Sequence, residues 1–169
     1  MITLQTYIVY ILLFLMMFFC AKLSSERKEW VWLCFAIFIY SVIFGMRYGV
    51  GVDHLAYLED YQRATFALDN PNDDTEVGFK FIRNFFATRG FHYTIYFSLI
   101  AFLQLWLIFK VVKKSRSIYP YLVLTFFLGC IWLTYANGLR QQLAFCIFAY
   151  SLLFIEDKKT IPIHYILLF

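Results

Sequence analysis

The sequence predicts an all-α, polytopic helical membrane protein, and three observations carry that reading. Apolar residues make up 62% of the 169 residues and charged residues only 15%, far from the balance of a water-soluble domain. The charges are also segregated. Met1 to Ala21, Trp30 to Met46, Phe91 to Phe109, Ser117 to Leu139 and Gln141 to Ile155 contain no Lys, Arg, Asp or Glu, in runs of 21, 17, 19, 23 and 15 residues. About 20 apolar residues cross a bilayer core as a helix, so five transmembrane helices are expected. A sixth begins at Ile161 and stops at Phe169, which makes residues 1–169 read as one transmembrane domain, the N-terminal part of a longer protein. The third observation is one long polar segment, residues 47–90, between the second and third helices.

Charge placement sets the expected orientation. Lys22, Arg27 and Lys28, then Lys110, Lys113, Lys114 and Arg116, then Lys158 and Lys159 fall in alternate connections. Segment 47–90 carries five basic and seven acidic residues, and the turn at 136–140 has only Arg140. The positive-inside rule makes the first group cytoplasmic and puts the N-terminus, segment 47–90 and Arg140 outside. The net charge of +4 is spread between spans and forms no basic face for nucleic acid, so no nucleic-acid partner is expected.

The elements follow in order. The first helix, about Thr3 to Ala21, is a Phe- and Met-rich anchor; Lys22 follows it directly, with no cleavage pattern, so it reads as a retained helix and not as a signal peptide. The second starts with Trp30 and Trp32, suited to an interface, and ends at Gly45-Met46-Arg47. Two readings of Arg47 are open: a snorkelling cation at the negative end of a helix, or a site residue. Segment 47–90 is 44 residues long, far beyond a simple connection. Asp53 is placed to cap a helix to about Leu68 with Leu55, Leu58, Tyr61, Thr65 and Leu68 on one side. After the turn-forming run 69–74, a second amphipathic helix is expected over Thr75 to Thr88. Its apolar stripe is Val77, Phe81, Ile82, Phe85 and Phe86, opposite Lys80, Arg83 and Asn84. Both helices suit a membrane surface, roofing a cavity. Glu76, three residues after Asp73, has capping-box spacing and is equally a candidate site acid.

The third helix ends in the basic turn. The fourth opens with Tyr119-Pro120, where proline is tolerated, and runs to Tyr135. Only 15 uncharged residues separate Arg140 from Glu156, about 22 Å of helix at 1.5 Å per residue. Arg140 therefore falls in the first turn of the fifth helix, whose positive dipole end repels it and attracts an anion. A cation at that place makes sense with an anion between the two. No phosphate-binding glycine loop, HExxH, nucleophile elbow or internal repeat is present. No discontinuous helix is legible either. Cys20, Cys34, Cys130 and Cys146 lie in apolar runs without metal-ligand spacing and read as packing residues, so no metal and no cofactor are expected. His54, beside Asp53, is either a proton shuttle or, more commonly for such a position, a water-exposed helix-start residue, and His92 and His164 carry no partner signal.

Three clusters together match a known pattern. Arg47-x-Gly49-x-Gly51-x-Asp53 followed by Tyr57, then Glu76-Val77-Gly78-Phe79, then Asn137-x-x-Arg140-Gln141-x-x-Ala144 resemble the EpsG family of bacterial membrane proteins, itself similar to Wzy-type polysaccharide polymerases. The resemblance spans about residues 30 to 155. It implies a multi-pass enzyme of the bacterial cytoplasmic membrane that joins repeat units of an exopolysaccharide, capsule or O-antigen on the outer side. The donor would be a polyprenyl diphosphate-linked glycan, with other assembly proteins as further partners. On that reading Arg47 and Arg140 bind the diphosphate, and Asp53 or Glu76 is the base. Gly49 and Gly51 let the backbone turn closely, Tyr57 stacks on sugar, and Gly78, Asn137 and Gln141 support the site. Two other classes stay open: a transporter or flippase of lipid-linked glycans, and a non-catalytic subunit of the assembly machinery.

Overall fold

The structure is a computed structural model, and it describes residues 4–47, 51, 53–66 and 76–154. All regular elements among these residues are helical. In order they are α1 (Leu4–Arg27), α2 (Val31–Gly45), α3 (His54–Thr65), α4 (Val77–Thr88), α5 (Tyr93–Val111), α6 (Tyr119–Leu128), α7 (Ile131–Asn137) and α8 (Leu139–Ser151). Short 3₁₀ turns at Arg116–Ile118 and Leu152–Phe154 lead into α6 and follow α8.

The helix lengths do not confirm the expected span count. Among the described residues, only α1 and α5 are long and apolar enough to cross a bilayer singly. The apolar run Ser117 to Leu139 is not one helix: it breaks at Gly129-Cys130 and bends by 67° between its α6 and α7 arms, which together make a third span if counted as one. Cys130 takes the left-handed conformation at that break, with φ 54°. A discontinuous helix is therefore present where none was legible. Helices α2 and α8 are apolar but shorter, at 15 and 13 residues. The stretch from Ile161 lies outside the described residues.

α2, α5 and α8 form the centre, with α1 and α6 on the flank. α2 and α5 approach closely at Gly45, where an added Cβ would lie 2.5 Å from the Thr94 carbonyl oxygen and run into the Ser98 hydroxyl. Leu33, Ile37, Tyr40, Phe97, Ile100 and Leu139 are buried between these helices. Gln104, buried in α5, donates from Nε2 to the Leu139 carbonyl at 3.1 Å and ties α5 to the start of α8.

The molecule has two chemically different ends. At one, Lys110 Nζ lies 4.7 Å from the Trp106 ring centroid and 5.4 Å from that of Trp30, and Arg116 donates to the Lys28 carbonyl. The first two basic connections thus meet at one end; Lys158 and Lys159 lie outside the described residues. At the other end lie Arg47, Gly51, the α7–α8 turn and the pair α3–α4.

The α3–α4 pair differs from expectation in two ways. α3 begins after Asp53, but the Asp53 side chain makes no capping hydrogen bond, and the helix ends at Thr65; Leu68 is outside the described residues. In α4 the expected stripe is split. The protein-facing side is Phe79, Arg83 and Ala87, with Ile82 and Phe86 also packed against the core, whereas Val77, Phe81 and Phe85 point outward. Arg83 Nη1 donates to Asp60 Oδ2 at 2.9 Å with 7% of its side chain exposed, joining α4 to α3. The Tyr61 hydroxyl donates to the Phe91 carbonyl at 2.7 Å, and the Tyr61 and Tyr96 rings lie 5.1 Å apart, which seats α3 on the start of α5.

Candidate functional site

The site is built on the α7–α8 turn. α7 ends at Asn137, and Gly138 separates it from α8, whose first turn contains Arg140. A helix end leaves carbonyls without intrahelical partners, and in a membrane water is scarce to satisfy them. Arg47 answers that need: its Nη2 donates to the Ala136 carbonyl at 2.8 Å. Its guanidinium carbon lies 3.8 Å from the Phe44 ring centroid, a cation–π contact. Arg47 is 5% exposed, which removes the snorkelling reading. Its Nε and Nη1 are buried and find no hydrogen-bond partner among the described residues.

Gly51 completes the clamp. Its φ of +99° lies where side chains are strained, and an added Cβ would overlap Asn137 Oδ1. The chain after α2 therefore crosses the α7–α8 turn at two points, Arg47 on Ala136 and Gly51 on Asn137. Together with Gln104 on Leu139, these contacts fix the place from which Arg140 projects.

Arg140 is the accessible cation, with 38% of its side chain exposed. Nη1 donates to Glu76 Oε2 at 3.2 Å, and Tyr57 lies beside the guanidinium. Glu76 stands at the N-cap position of α4 without making a capping bond there, so its carboxylate serves Arg140 and not a capping box; Asp73 lies outside the described residues. An exposed Arg–Glu pair of this kind contributes little to stability, about 0–1 kcal/mol, and a competing anion can replace the carboxylate.

The remaining candidates fall into place unevenly. Tyr57 is close enough to both arginines to touch one and influence the other. Asp53 is exposed on the loop before α3. Gln141 is exposed on α8, its Oε1 3.4 Å from a Cβ built on Gly138. Gly78 has open space around it, so no steric need for glycine exists there. Gly49 lies outside the described residues. His54 is fully buried against Phe97, with ring centroids 5.4 Å apart, and is not the water-exposed residue expected. Burial first, and the positive charge of Arg47 second, push its pKa below the usual 6.5, while a hydrogen bond to the Arg47 backbone opposes them.

Sequence reasoning missed two contributors. Gln104 was detectable as the lone amide in the apolar run Phe91 to Phe109. The Ala136 carbonyl had no signal, because a backbone acceptor has no residue type. Among the described residues no group of His, Cys, Asp and Glu could hold a metal ion.

A helical membrane protein with an accessible, carboxylate-paired arginine at a helix start, braced by a buried second arginine, is the class these features define. The particular family follows: residues 30–169 match the EpsG family, and the chain belongs to it. No curated protein and no solved structure matches the chain.

Proposed function

We propose that the protein polymerises lipid-linked oligosaccharide repeat units by glycosyl transfer from a polyprenyl diphosphate-linked glycan, in exopolysaccharide, capsule or O-antigen biosynthesis. The observation that carries this reading is the pairing of Arg140 with Glu76: a permanently charged, planar cation at the start of α8, holding a replaceable oxyanion within 3.2 Å. Family membership supports it independently.

In the reaction, the acceptor hydroxyl oxygen forms a bond to the donor anomeric carbon while the bond from that carbon to the diphosphate oxygen breaks. The diphosphate takes the place of the Glu76 carboxylate on Arg140, whose contacts strengthen as charge develops on the leaving oxygen. Arg47, behind the α7–α8 turn, contributes a second fixed positive charge to the diphosphate site. The hydroxyl proton passes to a carboxylate; Glu76, released beside the leaving group, is the first choice and Asp53 the second. Tyr57 lines the same opening and is placed to meet a sugar. The Arg140 end faces the outside of the cytoplasmic membrane, opposite the basic end. The bilayer, the lipid-linked glycan and other assembly proteins are the partners of this site.

One observation favours a second reading. The 67° break between α6 and α7 is a discontinuous helix of the kind transporters use at binding sites, so a flippase of lipid-linked glycans competes. Proteoliposomes containing the complete protein and the lipid-linked repeat unit separate the two. A polymerase releases one polyprenyl diphosphate for each glycosidic bond formed. A flippase moves the unit across the bilayer and releases none, and that result would overturn the proposal.

A further inference from the structure

α4 faces the protein with Phe79 and the cation Arg83 and faces outward with Val77, Phe81 and Phe85. In a water-covered helix the stripe Val77, Phe81 and Phe85, at i, i+4 and i+8, would pack on the core and Arg83 would point to solvent. Here Val77 is 86% and Phe81 69% exposed, while Arg83 is buried on Asp60. An apolar stripe exposed while the cation beside it is enclosed is the arrangement expected where the medium outside the helix is itself apolar.

We infer that the outer face of α4 lies in the interfacial layer of the bilayer, so that the lipid surface is its partner. Continuity with the membrane-crossing surface argues for lipid over another protein. The ring centroids of Phe81 and Phe85 are 6.4 Å apart, those of Phe85 and Phe86 5.4 Å, and those of Phe86 and Phe91 5.4 Å. This aromatic row ends one turn above Ile95, an exposed residue at the start of α5, which is long and apolar enough to span. Phe86 anchors this row on the core beside Tyr96, and the exposed Phe81, Phe85 and Phe91 extend the lipid-facing side of the span. Aromatic side chains are enriched at that depth.

Charge placement agrees. Arg89, exposed at the end of α4, lays its guanidinium carbon 3.7 Å from the Phe85 ring centroid and donates to the Phe85 carbonyl at 3.3 Å. That is the posture of a snorkelling cation at the level of lipid phosphates, with its stem over the apolar row. A protein partner seated on Phe85 would have to enclose this cation. The consequence reaches the site described above without depending on its chemistry: Glu76 begins α4, so the depth of α4 in the interface sets how closely Glu76 approaches Arg140.

The test uses the complete protein with its native cysteines replaced, reconstituted in phosphatidylcholine–phosphatidylglycerol nanodiscs. A nitroxide is attached at Phe81→Cys, and at Glu59→Cys on the exposed side of α3 as the water-facing reference. Collisions with oxygen, which concentrates in lipid, and with a water-soluble nickel chelate are then compared. Lipid contact predicts several-fold more oxygen collision and several-fold less nickel collision at Phe81 than at Glu59. Nickel collision equal at both sites would place α4 in water. Low collision with both reagents would show a protein cover, whether a second copy or another segment. Either result overturns the inference. If Phe81→Cys does not yield a folded protein by gel filtration, Phe85→Cys carries the same comparison.

Discussion

The clamp over the α7–α8 turn makes a sharp distinction between two glycines that both belong to the family-like motifs. Gly51→Ala places a side chain at φ +99°, past the left-handed region, at a cost of about 1–2 kcal/mol. Its Cβ also overlaps Asn137 Oδ1, and forcing an atom into a packed place costs about 1–3 kcal/mol more. The sum, about 2–5 kcal/mol, lowers the unfolding midpoint by roughly 5–20 °C at roughly 2–4 °C per kcal/mol. Gly78→Ala behaves oppositely. It sits inside α4 with nothing near its missing Cβ, and alanine in a helix gains about 0.5–1 kcal/mol over glycine. Thermal unfolding of the purified protein in one detergent measures both. A Gly51→Ala midpoint equal to or above that of Gly78→Ala would refute the close approach of the 47–53 loop to Asn137.

Two further predictions concern the interior. Arg47 has a cation–π contact and one hydrogen bond, yet two nitrogens, Nε and Nη1, without partners among the described residues, so its burial is costly. Arg47→Met, which removes charge and fits the space, should unfold within a few degrees of the natural protein. Arg47→Lys, which keeps a charge that cannot reach Ala136 as a planar fork, should be the less stable by about 2 kcal/mol, and the order of the two melting curves checks it. His54 gives a pH dependence. Because its folded pKa is depressed, the stability it contributes is complete above pH 6.5 and is lost as pH falls below that value toward the folded pKa. His54→Asn should flatten the fall in melting temperature over that acid range, as a series of melts at stepped pH would show.

Much of the architecture was legible because bilayers impose a simple rule on length and charge. Charge-free runs located α1, α2 and α5, and the 15 residues between Arg140 and Glu156 placed Arg140 in the first turn of α8. What failed was whatever depends on the far side of a contact. Of the α4 stripe, Val77, Phe81 and Phe85 share the outward face while Ile82 and Phe86 pack on the core, because periodicity shows that a helix has two faces and not which medium each one meets. Arg47 looked like a local helix-end cation because its partner, Ala136, lies 89 residues away. The break at Gly129-Cys130 was hidden in an apolar run whose hydropathy is the same for one straight helix and for two bent ones.

The most direct test of the glycan-polymerase account replaces Arg140 with Lys in the complete gene in its own host, at equal membrane abundance, and resolves the lipid-linked glycans by length. Lysine keeps the charge but not the planar, two-pronged hold on an oxyanion. The account predicts that single repeat units accumulate and long chains disappear. Normal long polymer would remove Arg140 from the reaction, and loss of all externally exposed glycan, single units included, would assign the site to transport.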